Sequence, residues 1–122
     1  MRTVYTDGEM QESLNDLELR RSRLGEQICK LGDFRSGSIG AIVRRCGKPG
    51  CRCAQPADPG HGPNLRLTYK LNGRTYSEGL PTMPAKRKAQ REIAEFRNFQ
   101  KLCRELIDVN AKICRLRRLS PQ

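Results

Sequence analysis

The stretch LRLTYKLNGRTYSEGL, residues 65–80, alternates with period two around an Asn-Gly pair. Leu65, Leu67, Tyr69 and Leu71 fall at every second position, with Arg66, Thr68 and Lys70 between them. An extended chain therefore sends apolar side chains to one side and basic or polar ones to the other. Asn72-Gly73 suits a two-residue type I′ turn, whose two central residues both need positive φ. That turn sets a register in which Leu71 faces Arg74, Tyr69 faces Tyr76 and Leu65 faces Leu80. The second face then carries Arg66, Thr68, Lys70, Thr75 and Ser77. A lone hairpin is marginal in water, so a third strand is expected, and GSIGAIVRR at residues 37–45 supplies it.

Between that strand and the hairpin lies CGKPGCRCAQPADPGHGP, residues 46–63. It holds Cys46, Cys51, Cys53 and His61, the chain's single histidine, in a C-x4-C-x-C-x7-H arrangement. Three sulfurs and an imidazole within 16 residues match the tetrahedral preference of zinc. Arg45, Lys48 and Arg52 favour the thiolate forms that coordinate a metal. Gly47, Pro49 and Gly50 permit the turn that folds the sulfurs together. Pro56, Pro59, Gly60 and Gly62 bend the chain back to deliver His61. Two other readings stay open: a flexible Gly/Pro loop with incidental thiols, and a redox pair of Cys51 and Cys53. Four protein ligands would leave no open position, which disfavours a catalytic metal.

Helical periodicity appears on both sides. Met10, Leu14, Leu17, Leu24, Ile28 and Leu31 follow a heptad-like seam with Arg21 at one position, predicting a helix over 9–31. Thr6 or Asp7 caps its start and Gly32 ends it. Phe99, Leu102, Leu106, Val109, Ile113 and Leu116 repeat at 3-4-3-4-3 within a second helix over 84–119, opened by Pro84. Ala89, Ile93 and Phe96 form an earlier stripe on it. Cys29, Cys103 and Cys114 lie on these helices and are expected to act as small buried apolar residues. The expectation is an α+β single domain, 1–122. It comprises a small three-stranded antiparallel sheet with a zinc-binding loop over 37–80, flanked by two long helices in an antiparallel coiled-coil-like stem. A homodimeric coiled coil would use the same seams.

The net charge of +11 is unevenly spread. Residues 1–31 hold 5 basic and 6 acidic side chains, residues 32–80 hold 8 and 3, and residues 81–122 hold 11 and 4. A positive field confined to the later three quarters points to a polyanion. Two basic surfaces are expected. The hairpin face has Arg66 and Lys70 with Arg44 or Arg45, and Arg74, Lys48 and Arg52 lie close in sequence. The start of the second helix has Lys86, Arg87, Lys88 and Arg91, placed to clamp phosphates. Arg115, Arg117 and Arg118 near its end equally suit a helix C-terminal dipole. Tyr69 and Tyr76 fall on the apolar face, which tips the reading toward duplex DNA rather than RNA or single strands, whose recognition uses exposed stacking aromatics.

No apolar run reaches the roughly 20 residues of a membrane span, and the first residues lack a signal-peptide layout. A cytoplasmic protein is expected, where structural disulfides are rare. No acid/base carboxylate pair, phosphate loop or nucleophile elbow appears. Asp33, Asp58 and Glu78 stand isolated, and an enzyme is not expected.

The string GSI…CGKPGCRCA…HGP…NGRTYSEGLP, followed by FRNFQKLCREL, resembles an uncharacterised bacterial family of small proteins. Its signature is C-G-K-P-x-C-x-C…H-G-P, and the family is associated with mobile-element neighbourhoods. The resemblance covers roughly residues 37–116. Family members tend to carry aromatics just after H-G-P, where this chain has Asn64 and Leu65. The hairpin and following helix are similar in pattern to arm-type DNA-binding domains of phage-like integrases, which lay a sheet face in the major groove. The Cys/His spacing and the basic surfaces lead to the expectation of a zinc-stabilised nucleic-acid-binding accessory protein, and the resemblances imply a transposase or recombinase as its partner. The alternative is a protein-interaction adaptor that uses its heptad helices and binds no nucleic acid.

Overall fold

The computed structural model describes residues 12–117. Met10, the Thr6 or Asp7 cap, Tyr5, Arg118 and the outer ends of both expected helices lie outside the described residues. The order of elements is α1 (Leu14–Cys29), β1 (Ser38–Arg44), β2 (His61–Leu71), β3 (Arg74–Gly79) and α2 (Met83–Leu116). A single 3-10 turn, Arg52–Ala54, sits between β1 and β2. The fold is α+β, with one antiparallel sheet in the order β1-β2-β3. The chain forms two compact units, one over Gly32–Arg97 and one made of the residues through Leu31 with those from Asn98 on. α2 contributes to both.

In the helical unit, Ser13 caps α1, its hydroxyl accepting from the Asp16 N–H at 3.1 Å. The helix ends at its cap Lys30, two residues before the expected Gly32: the Lys30 N–H is shared between the Glu26 and Gln27 carbonyls, and the Leu31 N–H bonds the Ile28 carbonyl at the tighter i→i−3 spacing. Leu17 and Leu24 bury against Leu102, Val109 and Ile113, with Leu14, Ile28, Leu31 and Leu106 half-buried around them. Glu18 pairs with Arg117 and Arg21 donates to Asn110 at 3.2 Å, so the two helical segments run in opposite directions. Arg21, the polar residue on the α1 seam, thus has its own acceptor, and Asn110 donates onward to the Leu106 carbonyl at 3.1 Å. Exposed ion pairs contribute at most about 1 kcal/mol each, so the buried leucines hold this unit together. Cys29 and Cys114 are exposed and Cys103 is half-buried, which corrects their expected burial: all three lie off the buried stripe.

The sheet unit follows the pattern of residues 65–80. Asn72 and Gly73 have φ of 53° and 80°, and the ladder pairs Leu71 with Arg74 and Tyr69 with Tyr76. Leu80 closes on the Leu65 carbonyl at 2.8 Å. Thr82 caps α2 through its hydroxyl, which accepts from the Ala85 N–H at 3.2 Å, and Pro84 sits in the first turn. Ala85, Ala89 and Ile93 recur every four residues and present one helix face to Leu65, Leu67, Tyr69, Leu80 and Ile39. Leu67, on the central strand, is fully buried.

One ionic cluster was not visible as a unit in the sequence. The Arg35 N–H donates to the Glu92 carbonyl at 3.2 Å. Its guanidinium reaches Glu78 at 2.8 Å and lies 4.6 Å from the Tyr69 ring centroid. Tyr69 also donates its hydroxyl to Glu78 at 2.8 Å. The Arg35 hydrogen bond, followed by that of Tyr69, holds the Glu78 carboxyl below its ordinary range. The same bond to Glu78 raises the Tyr69 hydroxyl. The segment before β1 is thereby tied to the hairpin and to α2.

Candidate metal centre and basic sheet face

The loop between β1 and β2 is folded by its own backbone. The Cys51 N–H closes a turn on the Lys48 carbonyl at 3.1 Å, and the 3-10 turn follows, with Ala54 N–H on Cys51 and Gln55 N–H on Arg52. Cys51 and Cys53 are therefore held on one tight turn. Asp58 accepts from the Gly60 N–H at 2.7 Å and from Arg52 at 3.2 Å. The Gly60 bond, seconded by Arg52, lowers the Asp58 carboxyl below its ordinary value. Arg45 spans the loop, donating to the carbonyls of Cys53, Gln55 (3.2 Å) and Asp58 (2.7 Å).

His61 is the first residue of β2 and pairs with Arg44 across the ladder. Glycine is required on both sides of it. Gly60 has φ +92°, and a Cβ there would lie 2.8 Å from Val43. Gly62 has φ +115°, and a Cβ would lie 2.7 Å from the Ile42 carbonyl and 2.9 Å from the Asn64 nitrogen. Only a residue without Cβ lets the backbone press against β1 in this conformation. The following Gly62–Pro63 peptide is cis.

The four sequence candidates come together. Cys46 Sγ is 3.4 Å from Cys53 Sγ, Cys51 Sγ is 3.2 Å from His61 Nε2, and all four donor atoms lie within 4.8 Å of one another. A tetrahedral ion bound by sulfur and imidazole has donor–donor edges of about 3.5–3.8 Å. The cluster therefore needs only small adjustments to hold one metal ion. The Cys46 N–H points at Cys53 Sγ, 3.4 Å away. Cys53 is buried, Cys51 and His61 are half-buried, and no carboxylate joins the set. Soft sulfur with one imidazole suits a soft or borderline cation over magnesium or calcium, and an ion held by all four donors would sit in a closed site of structural type.

The sheet face away from α2 presents Ser38, Gly40, Ile42 and Arg44 from β1, Asn64, Arg66, Thr68 and Lys70 from β2, and Thr75, Ser77 and Gly79 from β3. It contains no acidic residue. Glu78, the one carboxylate in the three strands, is on the opposite face against Arg35. Arg66 lies across the face, donating to the Ser77 hydroxyl at 2.8 Å, with Gly40 and Gly79 as its neighbours on either strand.

The family model that matches this chain is described as Domain of unknown function (DUF6788) and aligns with residues 14–82. The chain belongs to that family. No curated protein and no solved structure matches it. The DUF6788 match takes in α1, the whole sheet and all four candidate ligands, and it stops at Thr82, the cap of α2.

Within this DUF6788 chain the expected basic residues divide by place. Arg44, Arg66 and Lys70 share the open face. Arg45 braces the metal loop, and Arg52 is paired with Asp58 beside it. Lys48 is exposed in the preceding turn. Arg74, opposite Leu71, is on the α2 side of the hairpin. Lys86, Arg87, Lys88 and Arg91 lie on α2, which packs on the other face, and Lys88 is paired with Glu92 at 2.5 Å. They do not join the open face. Tyr76 is 41% exposed, stacked on Tyr69 at 5.5 Å, so the apolar side is less enclosed than the pattern implied. Asn64 and Ile42 were missed as face residues. The signal was available, since the Asn64 position continues the alternation of Arg66 and Lys70 toward His61.

Proposed function

We propose that the protein is a zinc-stapled module that binds duplex DNA through the open sheet face. The observation that carries this reading is the continuous cationic surface of Arg44, Arg66 and Lys70 with no carboxylate among its strand positions. A sheet face of this kind fits a major groove, and arginine or lysine can reach phosphates or guanine edges there. The face carries no aromatic side chain, which favours duplex over single-stranded targets. Zinc is the metal that suits three cysteines and a histidine in a closed site. Cys46, Cys51, Cys53 and His61 would hold it, and it would supply a crosslink rather than catalysis. The resemblance to a family associated with mobile-element neighbourhoods supports an accessory role beside a transposase or recombinase, and the scarcity of structural disulfides expected in the cytoplasm fits six free cysteines there.

Protein prepared without chelator is expected to carry about one zinc per chain. Three phosphate contacts give a log–log salt slope of about −2.7, so affinity should fall about 40-fold between roughly 50 and 200 mM salt. The double variant Arg66→Glu/Lys70→Glu should keep its metal and its melting transition while losing duplex binding. Unchanged affinity in that variant refutes the assignment of the face. Negligible DNA affinity in the wild type, with a protein partner lost on Leu106→Asp, would instead establish the adaptor reading.

A further inference from the structure

We propose that His61 has a second role, donating its outer ring N–H, together with Arg44, to a phosphate of the bound duplex; this rests on the duplex-binding reading above. The imidazole faces Cys51 through Nε2. When Nε2 gives its lone pair to a metal ion, the proton of the neutral ring sits on Nδ1. Metal-bound imidazoles almost always place that N–H on a carboxylate, a carbonyl or water. Among the described residues the His61 ring makes no hydrogen bond beyond the one to Cys51, and the residue is only half-buried. The chain provides the donor and leaves the acceptor to be brought from outside.

The neighbouring cation is also uncommitted. Arg44 pairs with His61 across the ladder, and its guanidinium has no hydrogen bond or ion pair among the described residues. Arg45, next in sequence, is occupied by three loop carbonyls. Arg44, Arg45, Cys46 and His61 line an open depression of about 620 Å³. Arg44 also lines a second depression of about 140 Å³ with Ile42, Asn64 and Arg66. It therefore joins the metal loop to the cationic face, and a phosphate backbone passing over Arg66 continues to His61. A zinc ion with three thiolates has a net charge of −1, so the centre itself does not attract an anion. What favours an oxyanion there is a directed donor beside a guanidinium. A metal on Nε2 would thus bear on phosphate binding through His61, by fixing which ring nitrogen carries the proton, as well as by closing the loop.

The test is a double-mutant cycle on a short mixed-sequence duplex, with His61→Cys, Arg44→Gln and the pair. His61→Cys keeps four donors for zinc, deletes the N–H and adds one thiolate charge, which the cycle separates from the lost N–H. With about one zinc retained, each single variant should weaken binding on the order of two- to tenfold. Arg44→Gln should also flatten the salt slope by about 0.9. Because both hold one phosphate, the His61→Cys loss should shrink in the Arg44→Gln background. Full additivity means that His61→Cys acts only through the extra charge of a fourth thiolate, and it overturns the proposal while leaving duplex binding in place. If His61→Cys fails to hold zinc, the cobalt-loaded wild type carries the test. Saturating duplex should shift its d–d bands in the wild type and not in Arg44→Gln, and an unchanged cobalt spectrum overturns the proposal. A wild type that binds no duplex at low salt overturns both readings.

Discussion

Gly62→Ala should cost this protein most of its metal affinity while changing no donor atom. The residue has φ +115°, and the new Cβ would meet two backbone atoms, the Ile42 oxygen at 2.7 Å and the Asn64 nitrogen at 2.9 Å. Neither can swing away as a side chain could. Holding a residue with a side chain in that region costs about 1–3 kcal/mol. Spreading β1 from β2 to relieve the contact forfeits a ladder bond of about 1 kcal/mol. The metal-free loop can relax by letting the chain around His61 part from β1, whereas the four-donor site cannot form without it. The cost of about 2–4 kcal/mol therefore appears in binding, as a roughly 30- to 1,000-fold weaker zinc affinity. The assay is competition against a chelator of known affinity, with Gly50→Ala as control. Gly50 lies in the same loop, without positive φ and with open space around its would-be Cβ. If Gly62→Ala binds zinc as tightly as Gly50→Ala, the delivery of His61 by a glycine-dependent backbone is wrong.

Leu67→Ala should destabilise the protein by about 2–5 kcal/mol in chemical denaturation, since Leu67 is fully buried, whereas Leu71→Ala, at 55% exposure, should cost well under 1 kcal/mol. Glu78→Gln should lower the denaturation midpoint at neutral pH. The folded-state value of Glu78 is depressed below the ordinary 4.5, so its contribution is complete above that value and disappears as pH falls through the folded one. The gap between wild type and variant should thus close on acidification, and a gap that persists at low pH contradicts the Arg35–Glu78 account. Arg45→Gln should loosen the metal loop and speed zinc transfer to chelator several-fold, because three carbonyls lose a charged donor; an unchanged release rate would show that the turns alone hold the loop.

The sheet was legible because period-two patterning and an Asn-Gly turn are local signals. They fix which residues face each other before any tertiary contact is known. The buried seam residues of the helices were legible for the same reason at a different period, as Leu17, Leu24, Leu102, Val109 and Ile113 show. The convergence of Cys46, Cys51, Cys53 and His61 was legible because cysteine and histidine are few and clustered in this chain. What the chain did not disclose locally was the use of its charges. Arg44 and Arg45 are adjacent and chemically identical, yet one lies on the open face and the other binds loop carbonyls. Only the ladder register and the path of the loop separate them. Arg35, Glu78 and Glu92 come from three distant segments, so no spacing rule connects them. The cysteines of the helices misled because the small, apolar nature of the residue says nothing of which side of the seam it occupies.

The weakness of β1 gives a physical reason for the position of the Cys/His cluster. Of its seven residues only Ile39 is even half-buried; Ile42 and Val43 are 42% and 53% exposed. β1 is an edge strand with little apolar contact of its own, and it joins β2 through a long connection rather than a tight turn. Closing such a connection costs entropy that a two-residue hairpin avoids, and β1 buries too little to offset it. A metal crosslink at the end of β1, where Cys46 follows directly and His61 begins β2, would remove that freedom at the point where it matters. It would also hold Arg44, the last residue of β1, opposite His61, where it lines one depression with Asn64 and Arg66. Losing the metal should therefore fray β1 before it unfolds Leu67 or Leu80, and amide exchange at residues 41–44 should accelerate on chelation while that at Leu67 stays slow. Equal acceleration at both would mean that the cluster supports the whole sheet and has no particular bearing on the cationic face.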